Sequence, residues 1–359
     1  MKIISRFILE DFFRYLLACL AVLVLIYIVI NLFDNLGQFL AKNVTMLNIA
    51  IYYLYLTPSY LVLLIPVAAI MAIFFVFGVM AKNRELIALK TSGLNLNRLF
   101  VLILVTGGLI SIFVFAFQET VGVWAQGRLY EHKLNKIDKR PAKPPIIRRN
   151  FFYYGEGDWV YFIRKFDGKE GTMEGVVLWE ISEENRIRSR VDAAFGKYQG
   201  IWVLENVKVR EFDTTGSELI SDYQILEMTQ LKEKPEDFLK RAKPLEEMNF
   251  IEILKFVGKR SRAGEDVGKE EVELNYRFSY PIITIILLLI ALPISVVLRK
   301  GGIAIGLGLS IVLAFLFWGL IQSCRAYGVA GLLDPLVAAW FPNVLFGIIG
   351  LVLMLKVPR

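Results

Sequence analysis

Six long stretches of the sequence contain no Asp, Glu, Lys or Arg, and this feature limits the possible folds more than any other. The stretches lie between Arg14 and Asp34, Lys42 and Lys82, Arg98 and Glu119, Arg277 and Arg299, Lys300 and Arg325, and Asp334 and Lys356. A bilayer core about 30 Å thick needs roughly 20 mostly apolar residues per helix. We therefore predict six transmembrane helices, three before and three after a polar region.

The polar region, residues 119–277, is long enough to bury a core of its own. Its aromatic and β-branched segments are separated by turn-forming residues, which predicts a run of short strands. These segments are Asn150 to Tyr154, Trp159 to Arg164, Gly175 to Ile181, Ala193 to Tyr198, Ile201 to Val209 and Leu219 to Met228. The predicted fold is a membrane α-helical protein with a 3+3 helix arrangement and an inserted extracytoplasmic all-β domain that is jelly-roll-like, with helical connectors. The predicted boundaries are 1–118, 119–277 and 278–359.

Orientation follows from the short flanks of the spans, because basic residues favour the cytoplasmic side. One side carries Lys2, Arg6, Arg14, Lys82, Arg84, Lys90, Arg98, Arg299, Lys300, Lys356 and Arg359. The other side has Lys42 and Arg325 in its short loops. We expect an uncleaved signal anchor, both termini in the cytoplasm and the large domain outside it.

Several function classes are disfavoured. The net charge of +7 comes from residues beside the spans, since residues 119–277 are nearly balanced, and this argues against nucleic-acid binding. A single histidine, His132, excludes a His-rich metal site and a Ser-His-Asp triad. The spans contain no Asp, Glu, Lys, Arg or His, which disfavours an ion-coupled carrier, and a phosphate-binding loop is missing from the sequence. We expect a non-catalytic chain without a metal or cofactor, whose energy comes from another subunit.

The loop from Ala81 to Arg98, AKNRELIALKTSGLNLNR, is the most informative short segment. Asn83 can cap a short helix with Glu85 in its first turn, and Gly93 can end it. Its apolar face is too small to fold alone, so we interpret it as a coupling helix, 82–93, that docks on a cytoplasmic ATPase. The coupling residues would be Arg84, Glu85, Leu86, Leu89 and Lys90. An ordinary interfacial turn is the alternative.

Two further residue groups are candidates for contacts with lipid or with a partner. Gly302 and Gly306 form a G-x-x-x-G pair, which suits close helix packing inside the chain or at a lateral subunit interface. Basic side chains near the outer membrane surface can pair with lipid phosphates, although they also suit a solvated helix. The lipid-contact candidates from this pattern are Lys42, Arg128, Lys133 and Lys136.

With this layout, the sequence resembles the LptF/LptG (YjgP/YjgQ) permease family of the lipopolysaccharide export machine. The resemblance rests on Asp34-Asn35-Leu36, on Lys82 to Gly93, on Glu273 to Arg277 and Pro281, and on Leu333 to Asn343. The loop pattern R-E-[LI]-x-A-x-x-x-S-G is the most specific part. The likeness runs from end to end, and the last third leans towards LptG.

The resemblance implies an inner-membrane permease with a periplasmic domain, paired with an LptF-like or LptG-like homologue. An LptB-like ATPase dimer would bind ATP and magnesium and contact the coupling helix at Glu85. LptC-like and LptA-like jelly-roll proteins would receive lipopolysaccharide. The first and fifth spans would form lateral gates, which gives Gly302 and Gly306 a role. The resemblance also adds Asn31 to the lipid-contact candidates, because some members have lysine at this position, and Arg128 aligns approximately with a basic position.

Two other functions fit the layout. A mechanotransmitting ABC permease would act on a periplasmic partner without moving lipid. A membrane-anchored scaffold would depend on no ATPase. Capture of the ATPase and of the lipid discriminates among the three.

Overall fold

The computed structural model describes residues 2–91, 96–139, 146–155, 159–182, 186–212, 218–241, 243–297 and 302–356. The chain forms two compact units. Unit 1 comprises Met1–Arg140, Leu245–Phe250 and Gly268–Arg359, and unit 2 comprises Pro141–Pro244 and Ile251–Val267. Unit 1 contains the long apolar helices, and unit 2 contains the β-sheet.

Unit 1 is built from helices, most of which are long. They are α1 (Lys2–Ala41), α2 (Met46–Lys82), the short α3 (Glu85–Thr91), α4 (Leu96–Phe117), α5 (Val123–His132), α8 (Gly268–Val297), α9 (Gly302–Val329) and α10 (Pro335–Leu355). Two π-helical turns, Gln118–Gly122 and Lys133–Ile137, join α4 and α5 into one continuous helical stretch and extend it. Six helical stretches in the described residues are long and apolar enough to cross a membrane, which confirms the six predicted spans.

The helices extend further than the charge-free stretches. The third candidate span runs from Leu96 to Ile137, and the fourth begins at Gly268 rather than near Arg277. A helix of about 40 residues is about 60 Å long, twice the thickness of a bilayer core. Charged residues such as Glu119 and Arg277 therefore lie within continuous helices rather than at their ends.

Close helix packing in unit 1 depends on small residues. A Cβ added at Gly107 of α4 would lie 2.6 Å from Leu288 of α8, and one at Gly306 of α9 would lie 2.9 Å from the Cβ of Phe74 of α2. Glycine at these positions lets the backbones approach. Their neighbours Phe74 and Leu288 are buried in the bundle core, together with residues of α1, α3 and α9.

Unit 2 contains one six-stranded antiparallel sheet. The strands are β1 (Ile147–Tyr154), β2 (Trp159–Asp167), β3 (Thr172–Ile181), β4 (Ile187–Tyr198), β5 (Trp202–Phe212) and β6 (Glu218–Met228). They lie in sequential order β1-β2-β3-β4-β5-β6, so each strand pairs with its neighbours in the chain. All six predicted strands exist, and the inserted β domain is confirmed. The largest difference in extent is at β4, which begins six residues before the predicted Ala193.

The sheet bends along a line that crosses every strand. Ile163, Val176, Ala193 and Val207 are paired neighbours in one buried row, and Phe166, Met173, Gly196 and Leu204 form a second. Within each strand the two buried positions are three residues apart, whereas a regular strand repeats its faces every two. Asn150, Gly175 and Asn206 lie on this line with φ of 48°, 62° and 51°. Residues from both sides of this line belong to one hydrophobic core.

The interior of unit 2 is closed by the segment after β6. Phe238 of α6 (Pro235–Leu239) packs against Tyr161, Phe166 and Trp202. The indole of Trp202 donates to the carbonyl oxygen of Glu233 at 2.7 Å, and the Tyr161 hydroxyl donates to the Glu233 carboxylate. Burial and this carboxylate raise the pKa of Tyr161 above its usual value. The segment between β6 and α8 contains α6, a 3₁₀ turn (Leu245–Glu247) and α7 (Phe250–Arg262), which correspond to the predicted helical connectors.

Candidate functional site

The predicted coupling helix is α3, and it follows α2 after a sharp turn. Asn83 ends α2, where its N–H donates to the carbonyl of Val79 at 2.9 Å. Arg84 adopts φ of 61°, a left-handed conformation that turns the chain. Glu85 then begins the seven-residue helix and lies at its positive end.

Leu86 attaches α3 to the bundle. Its side chain is 6% exposed and belongs to the same core as α1, α2 and α4. Leu86 therefore anchors the helix within its own chain, while Arg84 is exposed and Glu85 half-buried. The Glu85 carboxylate accepts from Nδ2 of Asn83 at 3.0 Å. The side chains of Leu89 and Lys90, and residue Gly93 as a whole, lie outside the described residues.

Two of the lipid-contact candidates make hydrogen bonds within the chain. Oδ1 of Asn31 in α1 accepts from the Tyr53 hydroxyl at 3.2 Å and from Nδ2 of Asn35 at 3.1 Å. Nζ of Lys42 lies 2.5 Å from Oδ1 of Asp138, which follows the second π turn. These contacts join the end of α1 to α2 and to the α5 region. We call this part of unit 1, from which the chain leaves towards the strands, the insertion end.

The other three candidates lie on the exposed surface of the same region. Arg128 of α5 forms an exposed ion pair with Glu131 at 3.1 Å, and Lys133 and Lys136 are exposed on the second π turn. Exposed ion pairs contribute little to stability, about 0–1 kcal/mol. The guanidinium of Arg128 can therefore exchange Glu131 for a phosphate at small cost.

The gate candidates differ in their surroundings. Gly306 is buried against Phe74, so packing within the chain accounts for it. Gly302 begins α9, and its surroundings lie outside the described residues. The helices α1 and α9 themselves expose long apolar faces, on which large side chains are more than half accessible. These include Leu17, Leu25, Ile30, Phe33, Ile305, Phe315 and Leu316.

Sequence reasoning missed a buried ion pair at the insertion end. Nη1 of Arg277 in α8 lies 2.8 Å from Oε1 of Glu119 in the first π turn, and the side chains are 3% and 13% exposed. Arg277 also donates to the carbonyl of Leu245 at 2.8 Å, and Glu119 accepts from the N–H of Phe250 at 2.5 Å. In the sequence, Glu119 and Arg277 are visible only as charged residues that bound the third and fourth charge-free stretches. Because 158 positions separate the two residues, the sequence did not indicate that they meet.

A cavity of about 180 Å³ lies beside this pair. It is lined by Ser59, Val62, Gln118, Gly122, Val123, Gln126, Glu246, Glu273 and Arg277. Two buried atoms on its lining side chains, Oε1 of Gln118 and Nε of Arg277, make no hydrogen bond in the described part of the chain. A cavity of this volume can hold several water molecules, and these two atoms are available to bind them.

The described residues contain no group of three or more His, Cys, Asp or Glu side chains placed to hold a metal ion. The two cysteines, Cys19 and Cys324, are buried and unpaired with each other. Taken together, the described geometry consists of a short anchored helix, a bundle with exposed outer faces, and polar groups at the insertion end.

Comparison with known proteins finds one family that matches nearly the whole chain. Residues 6–356 match the family described as lipopolysaccharide export system permease LptF/LptG. LptG of Escherichia coli K12 is 20% identical over 359 residues, covering 99% of this chain and 98% of its own. LptF of the same strain is 23% identical over 363 residues, covering 98% and 94%, and LptF of Shigella flexneri matches to the same extent.

These matches confirm the resemblance noted from the sequence. The family match spans both helical halves and the inserted sheet, and the members of this family are transport subunits, not catalysts themselves. The apolar helices and this homology support a multi-pass protein of the inner membrane. The chain belongs to the LptF/LptG family of lipopolysaccharide export system permeases.

Proposed function

We propose that this chain is a transmembrane permease subunit of an ABC-type extractor that takes lipopolysaccharide from the outer leaflet of the inner membrane. The observation that carries the proposal is the family match over residues 6–356, which includes both halves of the bundle and the inserted sheet. In this proposal the lipid passes from the bundle to a bridge of periplasmic β-jelly-roll proteins, LptC-like and LptA-like.

The α3 end of unit 1 would face the cytoplasm. Arg84 and Lys82 lie beside α3, and Arg6 and Arg14 lie near the start of α1, whereas the insertion end has fewer basic residues in its short loops. Basic flanks favour the cytoplasmic side. Both termini would then be cytoplasmic and unit 2 periplasmic.

A separate ATPase dimer, LptB-like, would supply the energy by binding ATP and magnesium. Glu85 would be the polar contact on this ATPase, because it is the acidic residue at the start of α3. Since Leu86 is buried in the bundle core, displacement of α3 would pass directly into α2 and α4. A rigidly held helix is suited to transmit motion in this way.

The outer faces of α1 and α9 would meet a homologous permease across a lipid-lined space. Their apolar side chains are accessible in the single chain and are suited to contact acyl chains or a partner helix. At the insertion end, Arg128, Lys133 and Lys136 would bind the lipid phosphates, because charge-assisted contacts to phosphate are strong.

The first test is purification of the tagged protein from its native membrane in mild detergent, with mass spectrometry of whatever remains bound. We expect a soluble ABC ATPase, a second six-span relative and lipopolysaccharide. An ATPase without glycolipid would contradict lipid extraction and favour a mechanotransmitting permease. An intact preparation with neither would favour a scaffold.

The second test addresses coupling. Glu85→Lys places a positive charge where the ATPase contact is expected, so ATP hydrolysis should no longer drive lipid release. Glu10→Lys is the matched control, since Glu10 is an exposed glutamate of α1 at the same end of the bundle. Normal ATPase binding and lipid release by Glu85→Lys would refute the role of Glu85.

The third test addresses the lipid path. A photoreactive residue at Arg128 or Phe33 should crosslink to lipopolysaccharide in the active complex, because both side chains are exposed along the proposed route. The same probe at Arg6, at the opposite end, serves as the control. Absence of adducts at Arg128 and Phe33 in an active complex would contradict this route.

A further inference from the structure

The ion pair between Glu119 and Arg277 does more than neutralise two buried charges. One oxygen of Glu119 accepts from Arg277 and the other from the N–H of Phe250. The second amino group of Arg277 donates to the carbonyl of Leu245. The ion pair is therefore hydrogen-bonded to both ends of the segment Leu245–Phe250.

This segment and the region around Glu119 belong to the two connections of the inserted sheet. The chain leaves the bundle through α4, the π turn Gln118–Gly122 and α5, and after the strands it first rejoins unit 1 at Leu245–Phe250, before it passes through α7 and enters α8. Arg277, on α8, contacts both connections. The ring of Phe250 also packs on Phe278 of α8, with centroids 4.6 Å apart. A single helix thus holds the outgoing and the returning chain.

The surroundings of the pair allow it to move. Glu119 lies in a π-helical turn, a feature that often marks functional sites in helices. The adjacent cavity of about 180 Å³ leaves space beside Arg277, whose Nε makes no hydrogen bond in the described residues. Water in the cavity can satisfy this donor when the guanidinium changes position.

Stability alone gives a weak reason for such a pair. The cost of removing both charges from water often exceeds their mutual attraction, and apolar residues of similar size frequently stabilise a core as well or better. A specific geometric role explains the pair more directly, because each charged group has a hydrogen bond to the returning segment.

We propose that Glu119 and Arg277 are positioning residues for lipid transfer, which hold Leu245–Phe250 on α8 so that helix motion reaches the chain that returns from the sheet. This inference rests on the proposed function, since it assigns to these residues the coupling of the bundle to the inserted unit.

The test uses the complete purified complex carrying Arg277→Lys. Lysine keeps the positive charge but cannot donate to Glu119 and Leu245 with the two arms of a guanidinium. Two quantities are measured: hydrogen–deuterium exchange of the peptide that contains residues 245–250, and lipopolysaccharide released per ATP hydrolysed. We expect several-fold faster exchange and a several-fold loss of lipid per ATP, with complex yield and ATP hydrolysis unchanged.

Arg325→Lys is the matched control. Arg325 of α9 pairs with Glu273 of the same helix α8 at 2.6 Å, so the substitution perturbs a similar ion pair. We expect exchange at 245–250 and lipid per ATP to match the unsubstituted complex. An equal loss in Arg325→Lys would overturn the proposal, because it would show a general sensitivity of α8.

Glu119→Gln provides the second variant if Arg277→Lys does not assemble. Its amide oxygen can accept only one of the two hydrogen bonds well, so the same two changes should appear in the same direction. Faster exchange with normal lipid release per ATP would show a purely structural role and overturn the inference. If the unsubstituted complex releases no lipid with ATP, the proposed function itself fails, which is a different result.

Discussion

The most apolar windows of α1 and α2 have the same mean hydropathy, yet they occupy different environments. In their most apolar windows, 17% of the α1 residues are buried inside the chain, against 67% of the α2 residues. The same contrast separates α9, with 22%, from α8, with 72%. Apolar composition therefore indicates that a helix can cross a membrane, but it does not indicate whether protein or lipid surrounds it.

The reason is that lipid tails are as apolar as the side chains, so burial against protein brings little hydrophobic gain. Close packing and small residues decide which helices become central. The outer faces of α1 and α9 remain accessible for lipid or for a partner chain, as the proposed function requires.

The largest expected effect comes from a cavity in a central helix. Phe77 of α2 is fully buried beside Phe100, whereas Phe33 of α1 is 70% exposed. Phe77→Ala should lower the free energy of unfolding by on the order of 3 kcal/mol, because packing contacts are lost. Phe33→Ala should change it by less than about 0.5 kcal/mol. Reversible unfolding in mild detergent measures both, and equal losses would contradict the distinction between the two helices.

A smaller effect is expected when α9 is overpacked against α2. Gly306→Leu should cost about 2 kcal/mol, because its Cβ would collide with Phe74. Gly308→Leu, two residues along the same helix, meets open space and should be nearly neutral. Thermal unfolding of the two variants separates them. A larger loss of stability in Gly308→Leu than in Gly306→Leu would contradict this packing, because it would place the Gly308 face of α9 against α2.

Unit 2 has its own hydrophobic core, and the contrast between buried and exposed side chains can be tested there as well. The folded state raises the pKa of Tyr161 above the usual value of 10, mainly through burial, so folding favours the neutral phenol. This contribution is complete below about pH 10 and decreases as the pH rises above it. At pH 11 the loss should be on the order of 1 kcal/mol. Hydrogen exchange of unit 2 in the full chain should reveal it. Tyr161→Phe should remove that part of the pH dependence, whereas Tyr223→Phe, on exposed β6, should retain it.

The smallest effect on the chain itself is expected on its outer faces. Leu25→Cys in α1 and Leu316→Cys in α9 should leave unfolding nearly unchanged, because both side chains are more than half exposed. In native membranes these cysteines should crosslink to a second six-span protein. Val76→Cys, buried in α2, is the control and should not crosslink. Crosslinking at Val76 but not at Leu25 or Leu316 would reverse the assignment of inner and outer helices.

Much of the fold could be predicted because its signals are local. Charge-free stretches predicted the six spans, and aromatic or β-branched segments separated by turn-forming residues predicted the six strands. The bend in the sheet was not predictable in this way, because it appears only when the buried rows of neighbouring strands are aligned.

The candidate sites divide similarly. Arg84 is exposed directly before α3, Glu85 is half-buried at the start of α3, and their role in coupling stays a prediction. Leu86 faces its own bundle, and Lys42 pairs with Asp138, neither of which the sequence indicated. Lys42 and Asp138 are far apart in the sequence, and Leu86 is buried only because α3 packs on the bundle. Neither contact produces a periodic pattern of residues in the sequence.

The sequence by itself determined which segments can cross a bilayer, which form strands, and which loop carries the family pattern, because these properties depend on the neighbours of each residue along the chain. Only the tertiary structure decided that α2 and α8 are central and that Glu119 meets Arg277. Among helices of similar hydropathy, side-chain shape and small residues determine which helices pack at the centre. The partner of a buried charge is determined by packing in three dimensions, not by spacing in the sequence.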